Sequence, residues 1–251
     1  MNKGEKKLNK FKNKRVGEIG INHQNFLMTI IEYNSYRDVV VEFHDKYNTR
    51  KHDEYFDFKK GHIENPSVHC LYDHFIAYKE DVKNNRLAFE KYRAMLDRCY
   101  GKQEGNNIVY KDCKVSKEWR KFENFIEWFN ENYYQIDNMS MDLDKDIFGD
   151  GKLYSPNTCV FIPHKLNSQF ARRKNNNKDL PLGVTIHKRG NGNICYRVCI
   201  LPKNQLYENI EEASNAYQSY IKQQYKDFAE KYKNIIPQKL YDALINFKFS
   251  S

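Results

Sequence analysis

Residues 141–167 read MDLDKDIFGDGKLYSPNTCVFIPHKLN, and they combine two apolar segments with an unusual density of oxygen-bearing side chains. The segments 141–147 and 158–162 predict two short strands, because glycines and a Ser-Pro-Asn corner separate them. Carboxylate and amide oxygens are the ligands that divalent cations prefer in proteins. We therefore predict a hairpin that gathers oxygen ligands and leads into a helix. The side chains concerned are Asp142, Asp144, Asp146, Asn157 and Asn167.

The bulk composition indicates a folded protein with an anionic partner. The chain has 251 residues, 15% of them aromatic, and a formal net charge of +9. Such an aromatic content argues against disorder, and a basic balance favours nucleic acid as the partner. The six cysteines form no C-x-x-C pair, which favours free thiols in a reducing compartment. No apolar run resembles a signal peptide or a membrane span, so we expect a cytoplasmic protein without a membrane partner.

Positive charge is concentrated in two places, which fits phosphate contacts better than an evenly solvated surface does. Residues 1–15 contain six lysines and one arginine against a single glutamate, and they are predicted to form a flexible basic arm. A second cluster, among asparagines, is predicted to follow the DNA backbone. It consists of Arg172, Arg173, Lys174 and Lys178.

Patterning along the chain predicts an α+β protein made of several modules. After the arm, residues 16–65 are predicted to form a small β domain, and residues 66–170 a mostly helical lead-in followed by the hairpin and its helix. Residues 171–179 are predicted to be a basic linker. Residues 180–251 are predicted to form a sheet, a long helix capped by Asn209 and a docked terminal helix.

The predicted sheet of the last module contains a hairpin over residues 182–200 with its turn at 190–193. Its apolar residues alternate and point one way. Lys188, Arg189 and Arg197 are predicted to project from the other side or from the turn. A sheet face that carries arginine can lie in the major groove, where arginine pairs with guanine through two hydrogen bonds. Ordinary solvent-facing charge is the alternative.

Several motifs occur in an order that resembles the HNH-type endonuclease-like proteins of phages and prophages of Gram-positive bacteria. The motifs are Cys99-Tyr100, Cys113, Trp119, FENFIEWFNEN (122–132), LDKDI (143–147), YSPNTCVFIP (154–163) and Asn167. The strings LPLGVTIHKRGNGNICYRVCI (180–200) and EEASNAYQSY (211–220) resemble the AP2-type DNA-binding domain. The resemblance implies a two-stranded hairpin with a helix, called the ββα-metal unit, followed by a sheet packed on one helix.

The resemblance also implies a metal-dependent DNA endonuclease site. One divalent cation, usually Mg²⁺, would be held by Asp144, by Asn157 as a shifted amide ligand and by Asn167. The catalytic set implied is Asp144, Lys145 and His164. Duplex DNA would be bound through Arg172, Arg173, Lys174, Lys188, Arg189 and Arg197.

Lys145 departs from the family pattern, which places a water-activating histidine directly after the aspartate. A lysine is protonated at neutral pH and is a poor general base, although it can contact phosphate. His164 is either the imidazole of the site or a surface histidine near a helix start. Three functions stay open: an active DNA endonuclease, a catalytically inactive DNA-binding regulator on the same scaffold, and a phage protein that binds a host protein as a defence inhibitor.

Overall fold

The computed structural model describes residues 14–72, 75–102, 110–148, 151–170, 180–199 and 203–249. It is a mixed helix and strand protein, which confirms the predicted α+β class at that level. Over these ranges, no helix is both long and apolar enough to cross a membrane. The helices are α1 (Tyr55–Lys60), α2 (Lys79–Asn84), α3 (Arg86–Tyr100), α4 (Phe122–Asn132), α5 (His164–Phe170), α6 (Ile210–Tyr232) and α7 (Gln238–Ile245), with a 3₁₀ turn at Lys117–Arg120.

The strands are short and mostly paired with their neighbours in sequence. They are β1 (Ile19–Ile21), β2 (Leu27–Ser35), β3 (Asp38–Phe43), β4 (Arg50–Asp53), β5 (Val68–Leu71), β6 (Phe75–Tyr78), β7 (Lys114–Val115), β8 (Met141–Asp144), β9 (Leu153–Tyr154), β10 (Val160–Pro163), β11 (Val184–Lys188), β12 (Ile194–Val198) and β13 (Gln205–Tyr207). The described part divides into two compact units. One runs to Lys111 and adds Val115–Trp128, and the other contains Asp112–Lys114 and continues from Phe129.

The first unit begins with an antiparallel sheet in the order β1-β2-β3-β4. The strands β2 and β3 lie within the predicted β domain, and the turn between them falls at residues 36–37. The predicted β domain also contains a helix, α1, whose Phe58 packs into the core of the sheet. In the basic arm only Lys14 and Arg15 are described, and the Arg15 guanidinium lies 3.8 Å from the centre of the Tyr55 ring.

Aromatic side chains dominate the core of the rest of the first unit. Trp119, Phe122 and Phe125 are fully buried, and Tyr92 of α3 donates from its hydroxyl to the Trp119 carbonyl at 2.7 Å. The prediction of a mostly helical region is wrong in one place, because β5 and β6 form an antiparallel hairpin. Phe75 and Ala77 of β6 are buried there, so alternation of buried positions replaces helical spacing over those residues.

Two layers of the second unit pack on the long helix α6. Its first half packs on the antiparallel sheet β11-β12-β13 through Ala213, Val184 and Val198. Its second half shares a core with β10, α5 and α7. The sequence places alanines and tyrosines at helical spacing over the whole length of α6, and this continuous apolar face accounts for both contacts. The predicted hairpin is present as β11 and β12, the long helix capped by Asn209 as α6, and the terminal helix as α7.

The division into two units is coarser than the predicted division into modules. Residues 65 and 66 both belong to the first unit, and the stretches on either side of 171–179 both belong to the second. Residues 171–179 themselves lie outside the described residues. The helix α6 explains the second difference, because it contributes to one core with β10 and to another with β12.

Candidate functional site

The candidate site is built on the antiparallel pair β8 and β10, followed directly by α5. Val160 faces Asp144 and Ile162 faces Asp142 across this pair. All residues of β10 are buried, because Phe161 packs against the Phe129 and Tyr133 rings while Val160 and Ile162 join the core under α6. The apolar run VFI thus forms a strand that is buried on both faces. Because β8 pairs with this strand, the pairing fixes the positions of the β8 carboxylates.

The register of the strand pair sets the position of α5. Pro163 faces Met141, and the next backbone N–H, that of His164, donates to the Ser140 carbonyl at 2.8 Å. The helix α5 therefore begins beside the start of β8. His164 and Asn167 are three residues apart on this helix, and such residues lie on the same side of it. Both side chains consequently reach the same partner on β8.

That partner is Asp142. Its Oδ2 atom lies 2.7 Å from Nδ1 of His164 and accepts a hydrogen bond from Nδ2 of Asn167 at 3.1 Å. The Asp142 side chain is 16% exposed, whereas the His164 side chain is 70% exposed. A mostly buried carboxylate therefore holds an imidazole whose other edge is open to solvent. This is an arrangement in which an aspartate orients a histidine for proton transfer.

Asp144 lies two residues further along β8 and has a different environment. It is buried, and its Oδ1 atom accepts hydrogen bonds from the backbone N–H groups of Asp146 and Ile147, both at 3.0 Å. Burial, with a smaller contribution from the nearby Asp146 charge, raises the pKa of Asp144 to about 6, although the backbone hydrogen bonds oppose this. Asp144 therefore shapes the turn after β8 as well as carrying a carboxylate.

Lys145 is also buried, which is uncommon for a lysine. Its Nζ atom lies 3.0 Å from Oδ1 of Asp146 and 5.4 Å from the centre of the Tyr154 ring. Gly151 adopts a φ of +75°, and a Cβ atom at this position would lie 2.4 Å from the same Asp146 oxygen. The glycine thus leaves room for the Lys145–Asp146 ion pair. This environment fits a lysine that supports the loop better than one exposed to substrate.

The Ser155-Pro156-Asn157 corner is held by Thr158. The Thr158 hydroxyl donates to the Leu153 carbonyl at 2.7 Å and accepts from the Ser155 backbone N–H at 3.1 Å. Asn157 is exposed, and its backbone carbonyl accepts a hydrogen bond from Nζ of Lys239 at 2.9 Å. Cys159, which follows Thr158, is buried, and burial raises the pKa of its thiol to about 12. The corner is therefore a packed turn with an inert thiol.

The structure brings together a different set of side chains from the one predicted. Asn167 hydrogen-bonds to Asp142, and Asp144 is bonded to the turn that follows it. Among the residues that the structure describes, no group of three or more His, Cys, Asp or Glu side chains is arranged to hold a metal ion. Of the predicted catalytic residues, His164 is joined to Asp142, while Asp144 and Lys145 lie in the buried turn.

Asp142 is among the oxygen-bearing side chains of the predicted hairpin, but the predicted catalytic and metal-binding sets omit it. Alternation along a strand gives the signal that could have identified it, since residues two apart face the same side. Asp142 therefore shares a face with Asp144, and it is the one nearer the end of β8 where α5 begins. The pairing with His164 depends on the register, which the sequence does not specify.

The predicted DNA-binding residues have four different outcomes. Arg172, Arg173 and Lys174 lie outside the described residues. Arg197 faces Thr185 across the β11–β12 pair, on the side opposite the buried Val184 and Val198. Arg189 forms an ion pair with Glu208 at 2.5 Å. Lys188 is exposed, but it has the same alternation as Val184 and so belongs to the helix-facing side at the end of the sheet.

Comparison with models of protein families, with curated proteins and with solved structures finds no match for this chain. The function therefore has to be inferred from the geometry of the site and from the chemistry of its side chains.

Proposed function

We propose that this protein binds duplex DNA and cleaves a phosphodiester bond in it with the help of a divalent cation. The observation that carries the proposal is the convergence of His164 and Asn167 of α5 on the Asp142 carboxylate. The antiparallel pair followed by a helix supports the HNH-like scaffold that the sequence motifs resemble. In this proposal the imidazole is supplied by the helix, because the position after Asp144 is occupied by Lys145.

His164 has the features of a general base. With its proton on Nδ1, the imidazole donates to Asp142, and Nε2 is left as the basic nitrogen. The Asp142 carboxylate then stabilises the imidazolium that forms when Nε2 takes a proton from water. The exposure of His164 gives water and a phosphate group access to that nitrogen. A positioned base of this kind contributes roughly 10²- to 10⁴-fold to a rate.

The donor set around β8 suits a hard cation. Asp142 and Asp144 lie on one face of the strand, and the Asn167 side chain adds an amide oxygen. Mg²⁺ is commonly bound by one or two carboxylates and otherwise by water and substrate phosphate, so a full protein cage is not required. Asp142 and Asp144 would hold the ion, with Asn167 as a further donor. When bound, Mg²⁺ offsets negative charge on the scissile phosphate and on the leaving oxygen.

Nicking of supercoiled plasmid in the presence of Mg²⁺ or Mn²⁺ tests the proposal. We expect the wild type to nick, and His164→Ala to lose about 10²-fold or more of the rate. His52→Ala is the matched control, because His52 is an exposed histidine 3.6 Å from Asp38 in the first unit. Absence of nicking by the wild type, or equal loss in both variants, would refute cleavage at this site.

DNA binding without cleavage is the second candidate. The ion pair of the buried Lys145 with Asp146 favours it, because in the HNH-type proteins that the motifs resemble this position holds the base. Arg197 is the candidate DNA contact, because it lies on the sheet face away from α6. Its Nε atom donates to Oγ1 of Thr185 on that face at 3.3 Å. We expect Arg197→Ala to weaken duplex binding by about 1–3 kcal/mol if the arginine contacts a base edge. Duplex binding by the wild type without any metal-dependent nicking would favour this candidate.

A further inference from the structure

Three lysines line a surface pocket on the second unit. The pocket has a volume of about 290 Å³ and is lined by side chains of α6 and by the end of α7 with the residues after it. Lys222 and Lys226 are one turn apart on α6, and Lys248 follows α7. In the described part of the chain, no carboxylate is among the residues that line this pocket.

The acidic side chains of the same helices have other partners. Asp227 accepts a hydrogen bond from Gln223 at 2.7 Å, and Asp242 accepts one from Gln238 at 2.8 Å. Glu230 accepts from the Tyr241 hydroxyl and lies 3.5 Å from Lys233. These are all the acidic residues between positions 222 and 248. Each of these acids therefore has its hydrogen-bond or ion-pair partner among residues that do not line the pocket.

The carbonyl groups at the end of α7 offset only part of the positive charge of the lysines. The last carbonyl groups of a helix carry the equivalent of about half a negative charge, which a nearby lysine complements. Three lysines bring three positive charges, so the end of the helix offsets only a small part of them. Lys222 and Lys226 also repel one another as like charges at positions i and i+4, which costs a few tenths of a kcal/mol. Helix stability alone does not explain three lysines here.

We propose that this pocket binds phosphate groups of the DNA backbone and forms a second DNA contact on the second unit. The inference rests on the proposed DNA binding and adds a surface to it. Phosphate matches the pocket because lysine ammonium groups bind it as point charges without specific geometry. Contacts of this kind position a duplex and carry no sequence information. The site is thus expected to strengthen binding equally for all sequences.

Fluorescence anisotropy with a labelled duplex, titrated between about 50 and about 300 mM KCl, tests the pocket. The variant Lys222→Gln/Lys226→Gln/Lys248→Gln should reduce the slope of log K against log[KCl] by up to about 2.7, at 0.9 for each lost contact. The control Lys60→Gln/Lys83→Gln/Lys231→Gln changes the net charge equally at exposed positions outside the pocket. The triple arginine variant of the pocket should keep the slope of the wild type.

The outcomes separate the two proposals. An unchanged slope in the pocket variant, or an equal reduction in the control, overturns the pocket while DNA binding stands. No duplex binding by the wild type at any salt concentration overturns both. If the triple glutamine variant does not fold, as judged by circular dichroism, Lys226→Gln alone should still reduce the slope by about 0.9.

Discussion

The Nδ1 atom of His164 lies 2.7 Å from Oδ2 of Asp142, so the first residue of a helix is joined to the second residue of a strand. The contact needs both the antiparallel register and the immediate start of α5 after Pro163. It turns a histidine that is isolated in the sequence into one with a fixed orientation.

Asp142→Asn should remove the carboxylate that selects the Nδ1–H tautomer of His164. Nitrogen NMR of labelled histidine should show that tautomer in the wild type and a mixture in the variant, because an amide no longer favours one nitrogen. Metal-dependent nicking should decrease by about 10- to 100-fold, the usual effect of losing an orienting partner. An unchanged tautomer would show that Asp142 does not orient His164.

Asp144 should make the stability of the second unit depend on pH. Its pKa is about 6 in the folded protein and has an ordinary value of 3.8, so the folded state binds more protons between these values. Stability therefore decreases as pH rises from about 4 to about 6, by up to roughly 3 kcal/mol. Asp144→Asn keeps an oxygen acceptor for the backbone N–H groups and removes the buried charge. Urea unfolding followed by circular dichroism should find the variant more stable at pH 8 than the wild type.

The same comparison at a pH near 4 is the control for Asp144. The wild-type carboxyl is then protonated in the folded state, so the advantage of the variant should nearly disappear. Asp146→Asn changes an exposed carboxylate of the same loop and should not reproduce the pH dependence. A variant that is less stable than the wild type at pH 8 would show that the Asp144 charge stabilises the turn.

Gly183→Ala should destabilise the packing of the β11–β13 sheet on α6. Gly183 has a φ of +79°, and a Cβ atom there would lie 2.3 Å from the Tyr217 ring. Backbone strain and overpacking should together lower the free energy of unfolding by about 1–3 kcal/mol or more. Both tryptophans, Trp119 and Trp128, belong to the first unit. Urea unfolding followed by circular dichroism should therefore show the loss of stability, while unfolding followed by tryptophan fluorescence should stay unchanged.

Gly190→Ala is the matched change for Gly183→Ala. A Cβ atom at Gly190 would meet nothing within 4 Å, and this glycine does not have the left-handed backbone. Its replacement should alter the free energy of unfolding by no more than about 0.5 kcal/mol. Equal effects of the two substitutions would contradict the close packing of Tyr217 on Gly183.

Asn209→Ala should weaken the start of α6. The Asn209 side chain accepts hydrogen bonds from the backbone N–H groups of Glu211 and Glu212 at 2.7 and 3.4 Å. Loss of such a cap costs about 1 kcal/mol, which thermal melting should detect. Asn215→Ala, at an exposed position inside the same helix, should have the opposite sign because alanine is the better helix former. Equal signs would argue against capping.

Much of the secondary structure could be predicted from local patterns. The β11–β12 hairpin follows from alternation around a glycine-asparagine turn, and α6 follows from its apolar face and the Asn209 cap. The hairpin of β5 and β6 was missed because each strand is only four residues long and contains no clear alternation of polar residues. Short strands take their shape from tertiary pairing, which local propensity does not report.

The sequence by itself determined that acidic and amide side chains are concentrated between residues 141 and 167, that the chain is basic, and that a long amphipathic helix follows the last sheet. Only the tertiary structure decided which carboxylate meets the histidine. A shift of one residue in the β8–β10 pairing would move every side chain to the opposite face. The observed register exposes His164 beside Asp142 and buries Asp144 with Lys145, because β10 is covered on both faces while the edge of β8 at α5 stays open.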